Sequence, residues 1–183
     1  MKKILFAIFA IFAMSDVVSA QFKASPNGVV SVSENNYYVA NIEGKSASEL
    51  FSAVETYIMS NFKNPDLVIN SQKDKVINMH GKFTNAFYDK RTFGNYPVTV
   101  ELNLVMYFKD NKIRFDTPNV IYMGIESLND EFKFSMPRVF ITGTTLFTQK
   151  GKVLNQKVID SFNKFINELI VSIIASTNTN DEW

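Results

Sequence analysis

The chain has 183 residues, with 19 Lys and Arg against 18 Asp and Glu, one His and no Cys. A nearly neutral chain without a basic run lacks the clustered cations that bind nucleic acids through their phosphates. Because there is no Cys, the fold has no disulfide and depends on its hydrophobic core. For the same reason we expect no lipid anchor on a cysteine.

The first twenty residues have the pattern of an export signal. Lys2 and Lys3 give a positive start to an apolar run at residues 4–14. Ala20 completes a cleavage site of small residues. The run is too short to cross ~30 Å of hydrocarbon, which takes roughly 20 apolar residues. We therefore expect cleavage before Gln21, a periplasmic or secreted mature protein, and no membrane span in that protein.

The remainder of the chain predicts one domain at residues 21–176 and a frayed tail at residues 177–183. Removing residues 1–20 takes away two Lys and one Asp, which leaves 17 basic and 17 acidic residues. A chain of this length buries about two thirds of the surface that its unfolded form exposes. The core alone is therefore sufficient for stability.

The N-terminal part predicts short strands. Pro26-Asn27-Gly28 is a turn signal after a short lead, and residues 29–33 alternate apolar and small polar side chains. Tyr37 to Glu43 is rich in aromatic and β-branched residues. These two runs predict either two short strands or one strand with an irregularity.

A capped helix follows. Ser46 and Glu49 have the spacing of a capping box, and apolar residues recur after them at helical intervals. Pro65 disfavours helical backbone at the residue before it. We therefore predict a helix over residues 46–62.

The middle of the chain predicts strands with one apolar and one polar face. Leu67 to Ile69 is a compact apolar run, and residues 76–83 alternate. Val98 to Phe108 is the clearest alternation, and Asp110-Asn111 suits a hairpin turn into residues 113–116. The pattern weakens at residues 85–96.

The C-terminal part ends in a second helix. Apolar residues at helical spacing predict it from about Leu154 to Ala175. Before it, residues 128–152 contain alternating aromatic residues, which fit either a hairpin or a flexible aromatic loop.

The element order predicts an α+β fold of the form β-α-β-β-β-β-α. Two amphipathic helices need an apolar surface to pack against. A sheet with one apolar and one solvent-exposed face provides it. We therefore predict an antiparallel sheet with both helices packed on one face.

This order and the sequence Ser46-Ala47-Ser48-Glu49-Leu50-Phe51 resemble a bacterial family of exported proteins, a domain of unknown function with a TATA-binding-protein-like (TBP-like) fold. The resemblance covers approximately residues 39–175: the capped helix, the run at 67–83, the hairpin at 98–116 and the last helix. The aromatic segment at 132–147 departs from the family. The resemblance implies a fold and an export route, and it carries over no functional residue.

Catalytic and metal-binding patterns are weak. Gly44-Lys45-Ser46 matches the end of a phosphate-binding loop, but Val39 occupies the position of its first glycine. His80 is the single histidine and has no Cys or second His beside it in the sequence, so we predict no metal site and no cofactor. Glu101 and Asp116 fall on neighbouring strands, where they form either an acid and base pair or a charge ladder.

Two functions fit these patterns. The first is a non-enzymatic binding or structural module of the bacterial cell envelope, whose partner is an envelope protein or glycan. Its predicted binding residues lie on the wet sheet face and in the aromatic segment: His80, Tyr107, Arg114, Phe132, Phe134 and Phe140. The alternative is an envelope-acting hydrolase that uses carboxylates on the same sheet face.

Overall fold

The computed structural model of the chain describes residues 21–33, 35–135 and 143–178. The predicted export signal, most of the predicted C-terminal tail and Phe140 lie outside these residues. The side chains of residues 66 and 67 are also outside the description.

Eight of the described strands form one curled sheet. They are β3 (Tyr37–Asn41), β4 (Ile69–Gln72), β5 (Val76–Arg91), β6 (Gly94–Lys109), β7 (Lys112–Asp116), β8 (Asn119–Ile125), β9 (Asp130–Lys133) and β10 (Thr144–Thr145). The order across the sheet is β10-β9-β8-β6-β5-β4, and β6 also pairs with β7, which pairs with β3. All these pairs are antiparallel except β9 with β10, which run parallel. The sheet is therefore mixed, a small correction to the antiparallel sheet that we predicted.

A separate hairpin precedes this sheet. Strand β1 (Phe22–Ser25) pairs with β2 (Gly28–Ser31), and the predicted turn joins them. The short segment before the turn, Phe22–Ser25, is thus a strand. The runs at 29–33 and 37–43 form two strands in different sheets, because β2 pairs with β1 while β3 pairs with β7.

The two long helices pack on one face of the sheet, as predicted. Helix α1 (Ala47–Asn61) has Ser46 as its N-cap, and the capping box with Glu49 is present. Helix α3 (Gln156–Ser176) has Asn155 as its N-cap. Apolar residues from both helices and from alternate positions of the central strands form one core cluster. Ring contacts join the layers, such as Phe51 to Phe108 with centroids 5.4 Å apart.

One short element differs from the prediction. The apolar run near residue 67 is not wholly extended, because Pro65–Val68 forms a single helical turn, α2, before β4 begins at Ile69. Proline fits the first position of a helix, where its missing N–H is not needed. The run is too short for its spacing to distinguish these two states.

The segment at residues 85–96, where the sequence pattern weakened, extends the central hairpin. Strands β5 and β6 continue outward from Phe87 and Val98 to the pair Arg91 and Gly94. The register shifts between Phe83 and Phe87, so a bulge interrupts β5. A bulge breaks the alternation of side chains, which explains why the strand pattern is lost there.

The aromatic segment at residues 128–152 contains β9 and β10. Because these strands are parallel, they are not the two arms of a tight hairpin, which would pair antiparallel. Gly143, with φ of 124°, precedes β10 beside the backbone of Glu131. A side chain on residue 143 would collide with that backbone, so glycine permits the close approach.

Candidate functional site

The face of the sheet opposite the helices is largely polar. We call it the open face, and its central residues come from β5, β6, β7 and β8 together with β3: Tyr37, Asn78, His80, Lys82, Glu101, Asn103, Tyr107, Arg114, Asp116, Asn119 and Tyr122. The alternate positions of β5 and β6 point into the core, such as Ile77, Met79, Leu102 and Leu104. Strand alternation therefore places these polar side chains together, as the sequence predicted for β5 to β7.

His80 lies at the centre of the open face between two polar neighbours. Its Nδ1 is 2.8 Å from Asn103 Oδ1, and its Nε2 is 3.0 Å from Glu101 Oε1. The register explains both contacts, since His80 pairs directly with Asn103 and Glu101 is two residues away on the same side. Both ring nitrogens therefore already contact oxygens of the protein.

A second polar group lies beside His80. Lys82 Nζ donates to Glu126 Oε1 at 2.8 Å, and both side chains are about half exposed. This hydrogen bond, with the attraction of the same carboxylate, raises the pKa of Lys82. Partial burial, followed by repulsion from Glu126, raises the pKa of Tyr122. The group therefore carries balanced charge, and Tyr122 keeps its proton at neutral pH.

An aromatic and cationic cluster occupies the other end of the open face. The guanidinium carbon of Arg114 lies 4.3 Å from the ring centroid of Tyr107 and 5.3 Å from that of Tyr37. Arg114 also forms an ion pair with Asp116, with Nε 3.0 Å from Oδ1, and its Nη2 donates to Asp116 Oδ2 at 3.5 Å. Tyr37 and Tyr107 remain 38% and 39% exposed. The pairing of β7 with both β3 and β6 brings these residues together.

The predicted carboxylates do not meet. Glu101 contacts His80, whereas Asp116 is paired with Arg114. Tyr107 pairs with Arg114, so Asp116 is level with residue 105, four positions along β6 from Glu101. At ~3.3 Å per residue the two carboxylates stand roughly 13 Å apart along the strand. Each carboxylate thus has its own basic neighbour, His80 for Glu101 and Arg114 for Asp116, which corresponds to the charge ladder.

The aromatic candidates lie elsewhere. Phe132 is 3% exposed and belongs to the core, so its ring is not available to a partner. Phe134 packs against the core, edge to face with Phe162 at a centroid distance of 5.8 Å. The structure therefore brings His80, Tyr107 and Arg114 onto one face and leaves Phe132 and Phe134 on the helix side of the sheet.

Three residues that make contacts on or beside the open face were not singled out by the sequence. Tyr37 stacks on Arg114, Asn103 contacts His80, and Glu126 holds Lys82. Alternation within β6 places Asn103 on the wet face. The positions of Tyr37 and Glu126 depend on strand pairings and a turn that join distant parts of the chain, and no local pattern encodes them.

Comparisons with known proteins bear on the fold. Neither a protein-family model nor a curated protein is similar to the chain. The crystal structure of a TBP-like protein from Parabacteroides distasonis ATCC 8503 is similar over 79% of this chain and 92% of that one, with a TM-score of 0.54 and 15% identity. This chain has a TBP-like fold. The resemblance predicted from the element order is thereby confirmed at the level of fold.

A second crystal structure is similar to most of this chain. It is a DUF4468 family protein from Bacteroides ovatus ATCC 8483, with a TM-score of 0.53 and 10% identity, matching 80% of this chain and 87% of that one. Both neighbours come from bacteria, and neither description states an activity. Identities this low carry the TBP-like fold alone, and function has to be argued from the open face.

Two further properties concern only the described part of the chain. Within residues 21–33, 35–135 and 143–178, no helix combines the length and apolar character that a bilayer crossing requires. Over the same ranges, no three His, Cys, Asp or Glu side chains gather closely enough to hold a metal ion.

Proposed function

We propose that the protein is an exported, non-enzymatic binding module of the bacterial cell envelope, and that the open face binds its partner. The observation that carries the proposal is the cluster of Arg114 between Tyr37 and Tyr107. Its two rings are more than a third exposed although they lie on a sheet. Exposed aromatic rings beside an arginine are enriched where proteins bind partners.

The polar neighbours fit binding better than catalysis. Both ring nitrogens of His80 lie next to protein oxygens, so a proton transfer to a substrate would first have to displace Glu101 or Asn103. Glu101 and Asp116 are each paired with a different basic side chain. The amides of Asn78, Asn103 and Asn119 supply both donors and acceptors, which suits an uncharged polar partner.

The export part of the proposal depends on the first twenty residues and not on the fold. A positive start, a short apolar run and small residues before Gln21 support secretion through a cleaved signal. In that compartment the available partners are envelope proteins and glycans.

The test is capture of a partner from envelope extract. We expect protein with Tyr107→Ala and Arg114→Gln to lose capture while it keeps the fold. The matched control is Tyr88→Ala, since Tyr88 is also an exposed tyrosine, 59% exposed, but pairs with Pro97, ten positions along β6 from Tyr107, or ~33 Å at ~3.3 Å per residue. Equal capture by the open-face variant and by the unmodified protein would contradict the proposal.

Treating the extract with a protease before capture identifies the partner class. Loss of capture after proteolysis indicates a protein partner. Capture that survives proteolysis but is lost after digestion with glycan-degrading enzymes indicates a glycan partner.

The hydrolase alternative is supported by one contact, the 3.0 Å approach of His80 Nε2 to Glu101 Oε1. Turnover of a peptidoglycan, glycan or peptide substrate that disappears in a folded Glu101→Gln variant would favour it. If Glu101→Gln still binds the partner and the unmodified protein turns over none of these substrates, the binding module is favoured.

A further inference from the structure

The central hairpin carries an unusual residue at its tip. Thr92 and Phe93 form the turn between the paired residues Arg91 and Gly94, and Phe93 is 93% exposed. Two-residue hairpin turns favour Gly, Asn and Asp, and a phenylalanine there has no role in the turn itself. A large apolar side chain that violates local preference without a packing reason points to a function.

The hairpin holds this tip away from the rest of the sheet. From Phe87 and Val98 outward, β5 and β6 pair with each other, whereas β8 joins β6 only from Thr99 onward. Arg91 braces the tip through Asp89 Oδ2 at 2.8 Å and Asp130 Oδ2 at 2.6 Å. The tip is therefore a fixed projection.

An aromatic cleft lies on the helix side of the sheet. It has a volume of about 660 Å³ and is bordered by the end of α1, the bulge of β5 and the middle of α3. Three half-buried rings form its floor. Phe83 makes edge-to-face contacts with Phe62 and Phe165 at centroid distances of 5.5 and 5.3 Å.

The cleft is matched to an aromatic side chain. Its volume falls within the ~300–1,000 Å³ of typical ligand sites, which is ample for one ring and its neighbouring turn residues. Aromatic rings at these spacings favour a further edge-to-face contact. The charged residues that line the cleft are Lys63, Lys82 and Glu168; Lys82 is paired with Glu126, and Glu168 has a 3.7 Å contact to Lys164.

The tip cannot enter the cleft of its own chain. The regular part of the hairpin from Phe87 to Arg91 separates the cleft at Asn85 from the tip at Phe93 by ~13 Å at ~3.3 Å per residue, which is beyond the reach of one side chain. We propose that the protein assembles head to tail, with the Phe93 tip of one copy inserted into the aromatic cleft of the next. Because tip and cleft are different surfaces, the contact is heterologous and propagates into a ring or a filament.

Sedimentation equilibrium tests the assembly on the chain from Gln21 onward, which holds every described element. The interface is small, so we expect the average mass to rise above the monomer mass between about 10 µM and 1 mM. Phe93→Ser should remain monomeric. The matched control is Leu154→Ser, because Leu154 is an apolar residue 55% exposed outside both surfaces, and it should associate normally.

Cleft variants complete the test. Thr84→Arg on β5 and Ser172→Arg on α3 place a long side chain in the cleft from exposed positions, and each should remain monomeric. An equimolar mixture of Phe93→Ser with Thr84→Arg should form a dimer and nothing larger, since one intact cleft meets one intact tip.

A native chain that stays monomeric to about 1 mM overturns the proposal. So does association that survives Phe93→Ser, or a mixture of folded variants that stays monomeric while the native chain associates.

Discussion

The side chain of Asn167 in α3 binds both backbone polar groups of Phe22 in β1. Its Oδ1 accepts from the Phe22 N–H at 3.0 Å, and its Nδ2 donates to the Phe22 carbonyl at 2.9 Å. Phe22 is fully buried and Asn167 is 7% exposed. One buried amide therefore takes the place of a neighbouring strand and fixes the start of the domain to its last helix.

Asn167→Ala should lower the free energy of unfolding strongly. It leaves two buried backbone groups of Phe22 without partners, and each such group costs about 1–3 kcal/mol. We expect a loss of roughly 2–5 kcal/mol in urea denaturation followed by circular dichroism.

Asn163→Ala is the control, because Asn163 Oδ1 accepts one bond, from the Ala24 N–H at 2.7 Å. The decrease in the free energy of unfolding for Asn163→Ala should be about half of that for Asn167→Ala. Equal midpoints for Asn167→Ala and the unmodified protein would refute the role of this amide.

Ser46→Ala should weaken the start of α1. The Ser46 Oγ accepts from the Glu49 N–H at 3.3 Å, and removal of an N-cap acceptor costs about 1 kcal/mol. Ser48→Ala is the matched control, since Ser48 is exposed on the first turn of the same helix and is not the cap. Urea midpoints that fall equally in both variants would contradict a capping role.

The carboxylate of Glu49 gives the cap a pH dependence. Hydrogen bonds from the Ser46 hydroxyl and backbone N–H lower the pKa of Glu49 below its ordinary value of 4.5. A carboxyl group whose pKa is lower in the folded state stabilises the fold above about pH 4.5 and loses this contribution as the pH falls through the folded pKa.

We therefore expect the difference in urea midpoint between the unmodified protein and Glu49→Gln to shrink between pH 6 and about pH 3. A difference that does not change with pH would show that the ionised form of Glu49 makes no special contact.

Export and cleavage are tested by the mass of the processed protein. When the full chain is produced in a bacterium with an active secretion pathway, we expect the protein recovered outside the cytoplasm to begin at Gln21. Ala20→Arg should block cleavage, because the peptidase requires a small residue there, and Gln21→Glu should be processed normally. Recovered protein that retains Met1 would disprove the cleavage site.

Local patterns were enough to predict the elements that depend on neighbouring residues. The capping box of Ser46 and Glu49 defined the start of α1, and alternation from Val98 to Phe108 assigned the core face of β6. These predictions succeeded because a helix cap and the two faces of a strand are set by spacing along the chain. Alternation in β6 also placed Tyr107 on the open face, and alternation over residues 76–83 placed His80 there.

Strand pairing was decided only by the tertiary structure. Arg114 meets Tyr37 because β3 pairs with β7, across more than 70 residues of sequence, and no local signal specifies that choice. The parallel pairing of β9 with β10 and the burial of Phe132 depend in the same way on what packs around them. The long regular elements were thus predictable from local sequence patterns, whereas the partners across the sheet were selected by long-range packing of the core.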